Sequence, residues 1–227
     1  MTISQRYQEL IADLRQITEK HNNVVLASSL GVEDMLLTHV IQIEQLPIGI
    51  FTLDTGRLPE ATHRLLSRIK DHYHLTIKVY VPQAPDLESL IEQQGTNGFY
   101  NSVDARKACC RIRKVLPLAR ALQGQDAWLT GLRREQSQTR LQLEKSAWDS
   151  DHNLIKYNPL LDWSRDEVWQ FVRENHVLYN ALHDQGYPSI GCEPCTRAVL
   201  EGESERSGRW WWEHPETKEC GLHVAQS

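Results

Sequence analysis

The chain has 227 residues, a formal charge of −5 and an isoelectric point near 6.1. That length holds one large domain, or one domain with an appendage, and argues against two equal domains. The acidic balance gives no ground for nucleic-acid binding, no apolar run is long enough to span a bilayer, and the start Met1 to Tyr7 leads into a mixed polar stretch rather than a signal peptide. The expectation is a cytoplasmic protein without membrane or nucleic-acid partners, whose ligand is a small anion in a local basic pocket.

Tyr7, Leu10, Ile11, Leu14 and Ile17 recur at helical spacing, which predicts an amphipathic helix near the start. Val24 to Ala27 reads as a strand that runs through Ser28-Ser29-Leu30-Gly31 into a helix over Glu33 to Ile41. A second strand, Ile48 to Leu53, ends in Asp54-Thr55-Gly56, and Pro59 is placed to open the next helix. Leu75 to Val81 is a third strand, the segment around Cys109-Cys110 a helix continuing to Pro117, and Ala127 to Thr130 a fourth strand before Gly131. Strands alternating with helices predict an α/β, doubly wound, Rossmann-like and mostly parallel sheet, with ligands at the carboxyl ends of its strands. Beyond Trp163 the pattern turns irregular, apart from a helix that Ser164 caps with Glu167 three residues on and that runs to about Arg173. The charged tail from Glu201, with Gly202 and Gly208, is expected to be mobile. The division is therefore a body over 1–200 and a tail over 201–227.

Two of the loops suit an anion. Ser28 to Asp34 joins a strand to a helix start, where small residues admit an anion to free amides, although it lacks the Gly-Lys-Ser/Thr of a Walker loop. An ordinary N-cap by Ser28 or Ser29 is the plainer alternative. Thr130 to Arg140 puts Arg133, Arg134 and Arg140 after a strand; alone it reads as a solvated loop, but at a strand end its guanidinium forks match sulfate or phosphate.

The five cysteines fall into an adjacent pair Cys109-Cys110, a C-x-x-C at Cys192 and Cys195, and a lone Cys220. A pair plus a C-x-x-C can enclose one thiolate site, zinc or iron–sulfur, and the nearby Lys107, Arg111, Arg113 and Lys114 favour thiolates without choosing the metal. Cys220 is left as a working thiol, with His223 three residues on to position or activate it. Trp210-Trp211-Trp212 beside Arg209 is expected to pack the tail, since a stacking surface for nucleic acid needs a basic groove.

These segments, with Leu53-Asp54-Thr55-Gly56-Arg57, Lys107-Ala108-Cys109-Cys110 and Lys218-Glu219-Cys220-Gly221-Leu222-His223, make the chain resemble the assimilatory adenylyl-sulfate and phosphoadenylyl-sulfate reductases along nearly its whole length. The resemblance implies an adenine nucleotide alpha-hydrolase-like fold, a reductase body over 1–200 and a catalytic tail over 201–227. Members with the double cysteine and the C-x-x-C carry a [4Fe–4S] cluster, here on Cys109, Cys110, Cys192 and Cys195, and prefer adenosine 5′-phosphosulfate. The resemblance further implies reduction to sulfite and AMP through an S-sulfocysteine on Cys220, with thioredoxin or glutaredoxin as reductant, and it is compatible with a homo-oligomer. It places Lys114 near cluster and substrate, and Arg206, Arg209 and His223 on the tail. Ser28, Ser29, Gly31, Asp34, Asp54, Thr55, Gly131 and Arg140 fall to the substrate. Rival readings are a reductase of the 3′-phosphorylated nucleotide or of both nucleotides, a zinc-containing ATP pyrophosphatase on the same sheet, whose Ser-Gly-Gly-x-Asp-Ser loop is missing here, and a metal-stapled binding module in which Cys220 and His223 are idle.

Overall fold

The structure is a computed structural model that describes residues 1–214 and 218. Helix α1, Ile3–Lys20, opens on a capping box in which the Thr2 hydroxyl accepts from the Gln5 amide at 3.2 Å and the Gln5 side chain accepts from the Thr2 amide at 2.9 Å. Strand β1 (Val24–Ser28) leads to α2 (Val32–Ile43), β2 (Ile48–Leu53) to α3 (Glu60–Tyr73), and β3 is Lys78–Tyr80, shorter than the expected run.

Next comes α4, Ala84–Gln94, which the sequence reading lacked. Helix α5, Val103–Cys110, continues through one π turn, Arg111–Val115, into α6, Leu116–Leu122. The helical stretch therefore does not stop at Pro117. Proline has no N–H for the carbonyl four residues back, and the ladder is rewound locally, with the Leu116 amide reaching the Arg111 carbonyl. Strand β4, Ala127–Leu129, is followed by an unexpected hairpin of β5 (Ser146–Asp149) and β6 (Leu154–Tyr157), and then by α7, Arg165–Glu174. The Ser164–Glu167 capping box of α7 forms as predicted.

The six strands lie in the order β3-β2-β1-β4-β6-β5. Pairs β1–β2, β1–β4 and β4–β6 are parallel, with Val24 opposite both Ile48 and Ala127, and only β5–β6 is antiparallel among the recorded pairs. The strand order reverses at β1, which puts a topological switch point, the usual ligand crevice of such sheets, at the carboxyl ends of β1 and β4.

The chain divides into two compact units. The first, Met1–Thr52, Glu60–Lys78 and Leu122–Ala181, holds the main apolar core, in which α2 buries Met35, Leu36, Leu37, Val40 and Ile41 against residues such as Leu14, Leu26, Leu129 and Phe171. The second, Leu53–Pro59, Val79–Ala121 and Leu182–Ser227, holds a smaller cluster of Phe99, Cys110, Cys192, Cys195 and Trp210. Among the described residues no helix is long and apolar enough to cross a membrane.

Candidate functional site

In the first unit, the loop after β1 is bent back by its own side chains. The Ser28 hydroxyl accepts from the Leu30 amide at 3.2 Å, the Ser29 hydroxyl accepts from the Gly31 amide at 3.3 Å, and Leu30 takes φ +62°, a conformation that bulky residues avoid. The loop delivers the chain to the start of α2, whose first-turn amides have no acceptor within the helix. Asp34, in that first turn, ties this loop to the one after β4. Its Oδ2 accepts from the Ser29 amide at 2.7 Å and the Ser29 hydroxyl at 2.6 Å, while Oδ1 accepts from the Gly131 amide at 3.0 Å. Burial pushes this carboxyl up to about 6, against the lowering effect of the hydrogen bonds from Ser29 and Gly131. Gly131 has no room for a side chain, because a Cβ there would strike the Asp34 carboxylate.

The arginines that follow are fastened from inside. Arg133 is buried and donates to Glu33 at 2.8 Å, and Gln136 reaches the same Glu33 oxygen at 3.0 Å. The Gln136 carbonyl oxygen in turn accepts from the Arg133 amide and from the buried Arg140. Arg134 donates to the carbonyls of Leu141 and Leu143 at 2.8 Å each and pairs with Asp162 at 3.0 Å. Ser28, Ser29, Gly31, Asp34, Gly131 and Arg140 thus belong to one unit. Asp34 meets Ser29 and Gly131 directly, and it organises these loops as an acceptor.

In the second unit, Cys109, Cys110, Cys192 and Cys195 form no disulfide among the described residues and line one cavity of about 340 Å³, counting its open mouth. Arg57, Arg106, Arg113 and Lys114 line it on the charged side, with Phe99 and Trp210 on the apolar side. Asp54 and Thr55 form the adjoining turn: Asp54 Oδ1 accepts from the Gly56 amide at 2.8 Å, Thr55 Oγ1 lies 3.3 Å from Cys192 Sγ, and Arg113 donates to the Thr55 carbonyl at 2.6 Å. Gly56 takes φ +69°, and it is this left-handed step that turns the chain here. The structure therefore puts Asp54 and Thr55 in the thiol unit, whereas the two loops belong to the first unit.

The cations divide the thiols unequally. Burial is the largest influence on Cys192 and would raise its pKa, yet Lys114, the Thr55 hydroxyl, Arg209 and Arg113 together hold it below the ordinary thiol value. Burial first, and then Cys192, push Cys195 up to about 12. Burial also raises Cys109, with Arg113 opposing.

The donor set fits an iron–sulfur cluster. No three Cys, His, Asp or Glu among the described residues converge on a position for a single metal ion, where tetrahedral zinc would draw its sulfurs to within roughly 4 Å of one another. A [4Fe–4S] cluster would take each thiolate on a different iron, and Cys109, Cys110, Cys192 and Cys195 would hold it. Two buried donors that line the cavity, Arg113 Nε and Trp210 Nε1, have no acceptor among the described residues, as an anionic sulfur-rich guest requires.

Arg209 is buried, donates to Ser189 Oγ at 3.3 Å and stands 4.7 Å from the Trp210 ring centroid. Arg206 donates to the Lys218 carbonyl at 3.2 Å. Cys220 and His223 lie outside the described residues. The sequence reading overlooked Arg106 and Phe99. Arg106 was within reach, since it precedes Cys110 by four residues and so shares its helix face; Phe99 carries no comparable signal.

Residues 23–198 match the phosphoadenosine phosphosulfate reductase domain. The chain is 54% identical to a protein of Allochromatium vinosum named adenosine 5′-phosphosulfate reductase, over 98% of this chain and 87% of the relative. It is 50% identical to a protein of the same name from Burkholderia cepacia, over 98% of this chain and 89% of the relative. Among solved structures it resembles a phosphoadenylyl-sulfate reductase from Candida auris in a phosphate complex, at 26% identity and a TM-score of 0.71, covering 84% of this chain and 90% of that one. An NH3-dependent NAD synthetase from Campylobacter jejuni shares the fold alone, at 14% identity and a TM-score of 0.57 over 82% of this chain and 78% of that one.

Proposed function

The chain belongs to the phosphoadenosine phosphosulfate reductase family, and from that premise we propose that it is an oxidoreductase of cytoplasmic sulfate assimilation that reduces adenosine 5′-phosphosulfate to sulfite and AMP. The observation that carries this reading is the gathering of Cys109, Cys110, Cys192 and Cys195 around one cation-lined cavity, which leaves Cys220 as the remaining thiol of the sequence.

The chemistry falls to the tail, 201–227. The Cys220 thiolate attacks the sulfur of the sulfate group; the sulfur–oxygen bond to the nucleotide phosphate breaks, AMP leaves, and an S-sulfocysteine remains. One thiol of a reduced thioredoxin or glutaredoxin then attacks the Cys220 sulfur and expels sulfite, and its second thiol resolves the mixed disulfide. The dithiol supplies the two electrons that take sulfur from sulfate to sulfite. His223 positions or activates Cys220.

The first-unit loops hold the nucleotide. The α2 amides and the serines of the β1 loop donate to the anion, and Arg140 adds positive charge. Asp54 and Thr55 act from the turn beside Cys192. Arg206 and Arg209 bring cations to the tail, and Lys114 sets the charge at the thiols. Cys109, Cys110, Cys192 and Cys195 would hold a [4Fe–4S] cluster, which supplies fixed charge and a structural tie when bound.

Intact-protein mass spectrometry after mixing with adenosine 5′-phosphosulfate, in the absence of reductant, tests the proposal. A sulfite-sized adduct confined to Cys220 is expected, and its absence or its appearance on another side chain rejects the mechanism. About four irons per chain in protein purified without air is the matching expectation for the thiols. The Candida auris match favours a second reading, reduction of the 3′-phosphorylated nucleotide. Steady-state rates with each nucleotide decide between them.

A further inference from the structure

Two buried charges of the second unit, Arg106 and Glu213, take no part in the chemistry above. Arg106 lines the thiol cavity with its side chain fully buried, one helical turn before Cys110 on α5 and so on the same helix face. Glu213 fixes its guanidinium through two bonds, Nε to Oε1 at 2.9 Å and Nη2 to Oε2 at 2.7 Å, and the Glu213 side chain is itself only 4% exposed. The guanidinium also lies 4.6 Å from the centroid of the Trp210 ring. Burial would lower the Arg106 pKa, yet the hydrogen bonding and charge of Glu213, and then the charge of Cys110 and a side-chain hydrogen bond to it, hold it above the ordinary guanidinium value. One guanidinium thus serves a carboxylate and a sulfur together.

Arg57, Arg113 and Lys114 line the same cavity. Positive charge and hydrogen bonds at the sulfurs favour the reduced, more negative state of an iron–sulfur cluster and so pull its potential up. Glu213 opposes that pull, because it brings a buried carboxylate against one of these cations. A buried Arg–Glu pair adds little stability over well-packed apolar side chains, so stability alone does not account for one here. What the pair does supply is a hydrogen-bond donor for Cys110 without an uncompensated charge.

We propose that Arg106 and Glu213 together set the potential of the cluster that the four thiols would hold: Arg106 donates to the Cys110 thiolate, while Glu213 orients the guanidinium and offsets its charge. The inference rests on the reading of Cys109, Cys110, Cys192 and Cys195 as ligands of a [4Fe–4S] cluster. Its consequence for the reaction is that electrons stay on one route. The dithiol delivers a pair to sulfur by thiol exchange, and a cluster held oxidised does not take one of the two.

The test uses the full-length protein purified with its iron in the absence of air, the variant Glu213→Gln, and the double variant Arg106→Met with Glu213→Gln. Iron content is measured for each, and photoreduction against reference dyes gives the reduction potential. Glu213→Gln keeps the guanidinium and removes its counter-charge, so the reduced state should be favoured about tenfold more, a rise of about 59 mV for one electron. The double variant leaves neither charge buried alone and takes the donor from Cys110, so the reduced state should be favoured roughly threefold less. A clasp that only supports the fold would move both potentials the same way or move neither. An unaltered or lowered potential in Glu213→Gln overturns the proposal, as does an unaltered or raised one in the double variant. Should one variant lose iron, the other decides; loss from both makes the pair a structural support and overturns the proposal as well. If the cluster of the unaltered protein resists reduction, the iron–thiolate stretch of the oxidised form decides. Positive charge at a thiolate weakens its bond to iron, so the stretch should fall in Glu213→Gln and rise in the double variant, and no change or the reverse overturns the proposal. If the unaltered protein holds no cluster, the reading of the thiols fails first, and this inference with it.

Discussion

At the ends of β1 and β4 the Asp34 carboxylate already accepts from Ser29 twice and from Gly131, and Arg133 is already paired with Glu33. Around the thiols, Arg113 Nε and Trp210 Nε1 are buried without an acceptor among the described residues. The first region is tied together by carboxylates of its own, Asp34 across the two loops and Glu33 on Arg133. The second sets cations against buried thiols, with Lys114, Arg209 and Arg113 lowering the Cys192 pKa against the effect of burial. A guest carrying anionic sulfur would give Arg113 Nε and Trp210 Nε1 an acceptor. The two regions should therefore respond to damage in opposite ways: loss of one ligand should unsettle the thiol unit as a whole, whereas damage to the loops should stay local.

The largest effect is expected for Cys192→Ser. It removes the thiol that the cations favour most as a thiolate and should abolish iron binding, leaving Lys114, Arg113 and Arg209 without their counter-charge. Breaking a buried charge arrangement by removing one partner costs about 3–5 kcal/mol, which for a chain of this size lowers the melting temperature by roughly 10 °C or more. Thermal unfolding and iron analysis check this. Full iron and an unshifted melt would mean that the thiol cavity is as self-sufficient as the loops.

Next in size is a pH effect at Asp34. Its folded value of about 6 lies above the 3.8 of an ordinary aspartate, so the folded state holds the proton more tightly than the unfolded chain. The stabilisation is fully present below about pH 4 and is lost as the pH rises through 6, a fall of roughly 3 kcal/mol that is complete by pH 7. Asp34→Asn cannot titrate and should lack this fall. Urea unfolding of both proteins from pH 4 to 7 should show the stability of the parent, relative to the variant, declining by that amount. A constant difference would remove burial as the dominant influence on Asp34.

Gly131→Ala probes the same contact sterically. The new methyl group meets the Asp34 carboxylate and also comes within 2.9 Å of the Glu33 Cβ, so the two loops must part. A destabilisation of about 2 kcal/mol is expected, with weaker nucleotide binding and unchanged iron. A loss of iron would show that damage at the loops does not stay there.

How much of this was legible in the sequence follows the same division. Helix α1, strands β1 and β2 and the Ser164–Glu167 box announce themselves through period and capping chemistry, because local rules and the tertiary structure agree there. The hairpin of β5 and β6 was not legible. Ser146–Asp149 is mostly exposed and carries no apolar alternation, so only its pairing with β6 makes it a strand. Helix α4 buries just Leu90 and is correspondingly faint in the sequence. Among site residues, cysteine spacing pointed to the thiols, and a strand handing over to a helix pointed to Ser28 and Ser29. What no local pattern could give is the partnership of Arg106 with Glu213, or of Asp34 with Gly131, since each joins residues far apart in the chain.

Arg134 offers the smallest and most selective test. Unlike Arg133, it is 37% exposed on its side chain, and its work is to hold the loop by donating to Leu141, Leu143 and Asp162. Solvent screens the ion pair, so Arg134→Ala should cost about 1 kcal/mol, most of it from the two carbonyls left without their donor. A looser loop costs ordering at the moment of binding, and the expected signature is a KM raised a few-fold with kcat unchanged. If kcat falls instead, Arg134 contributes to the transition state, and the loops at the sheet end owe part of their function to a side chain that the static structure shows only as a fastening.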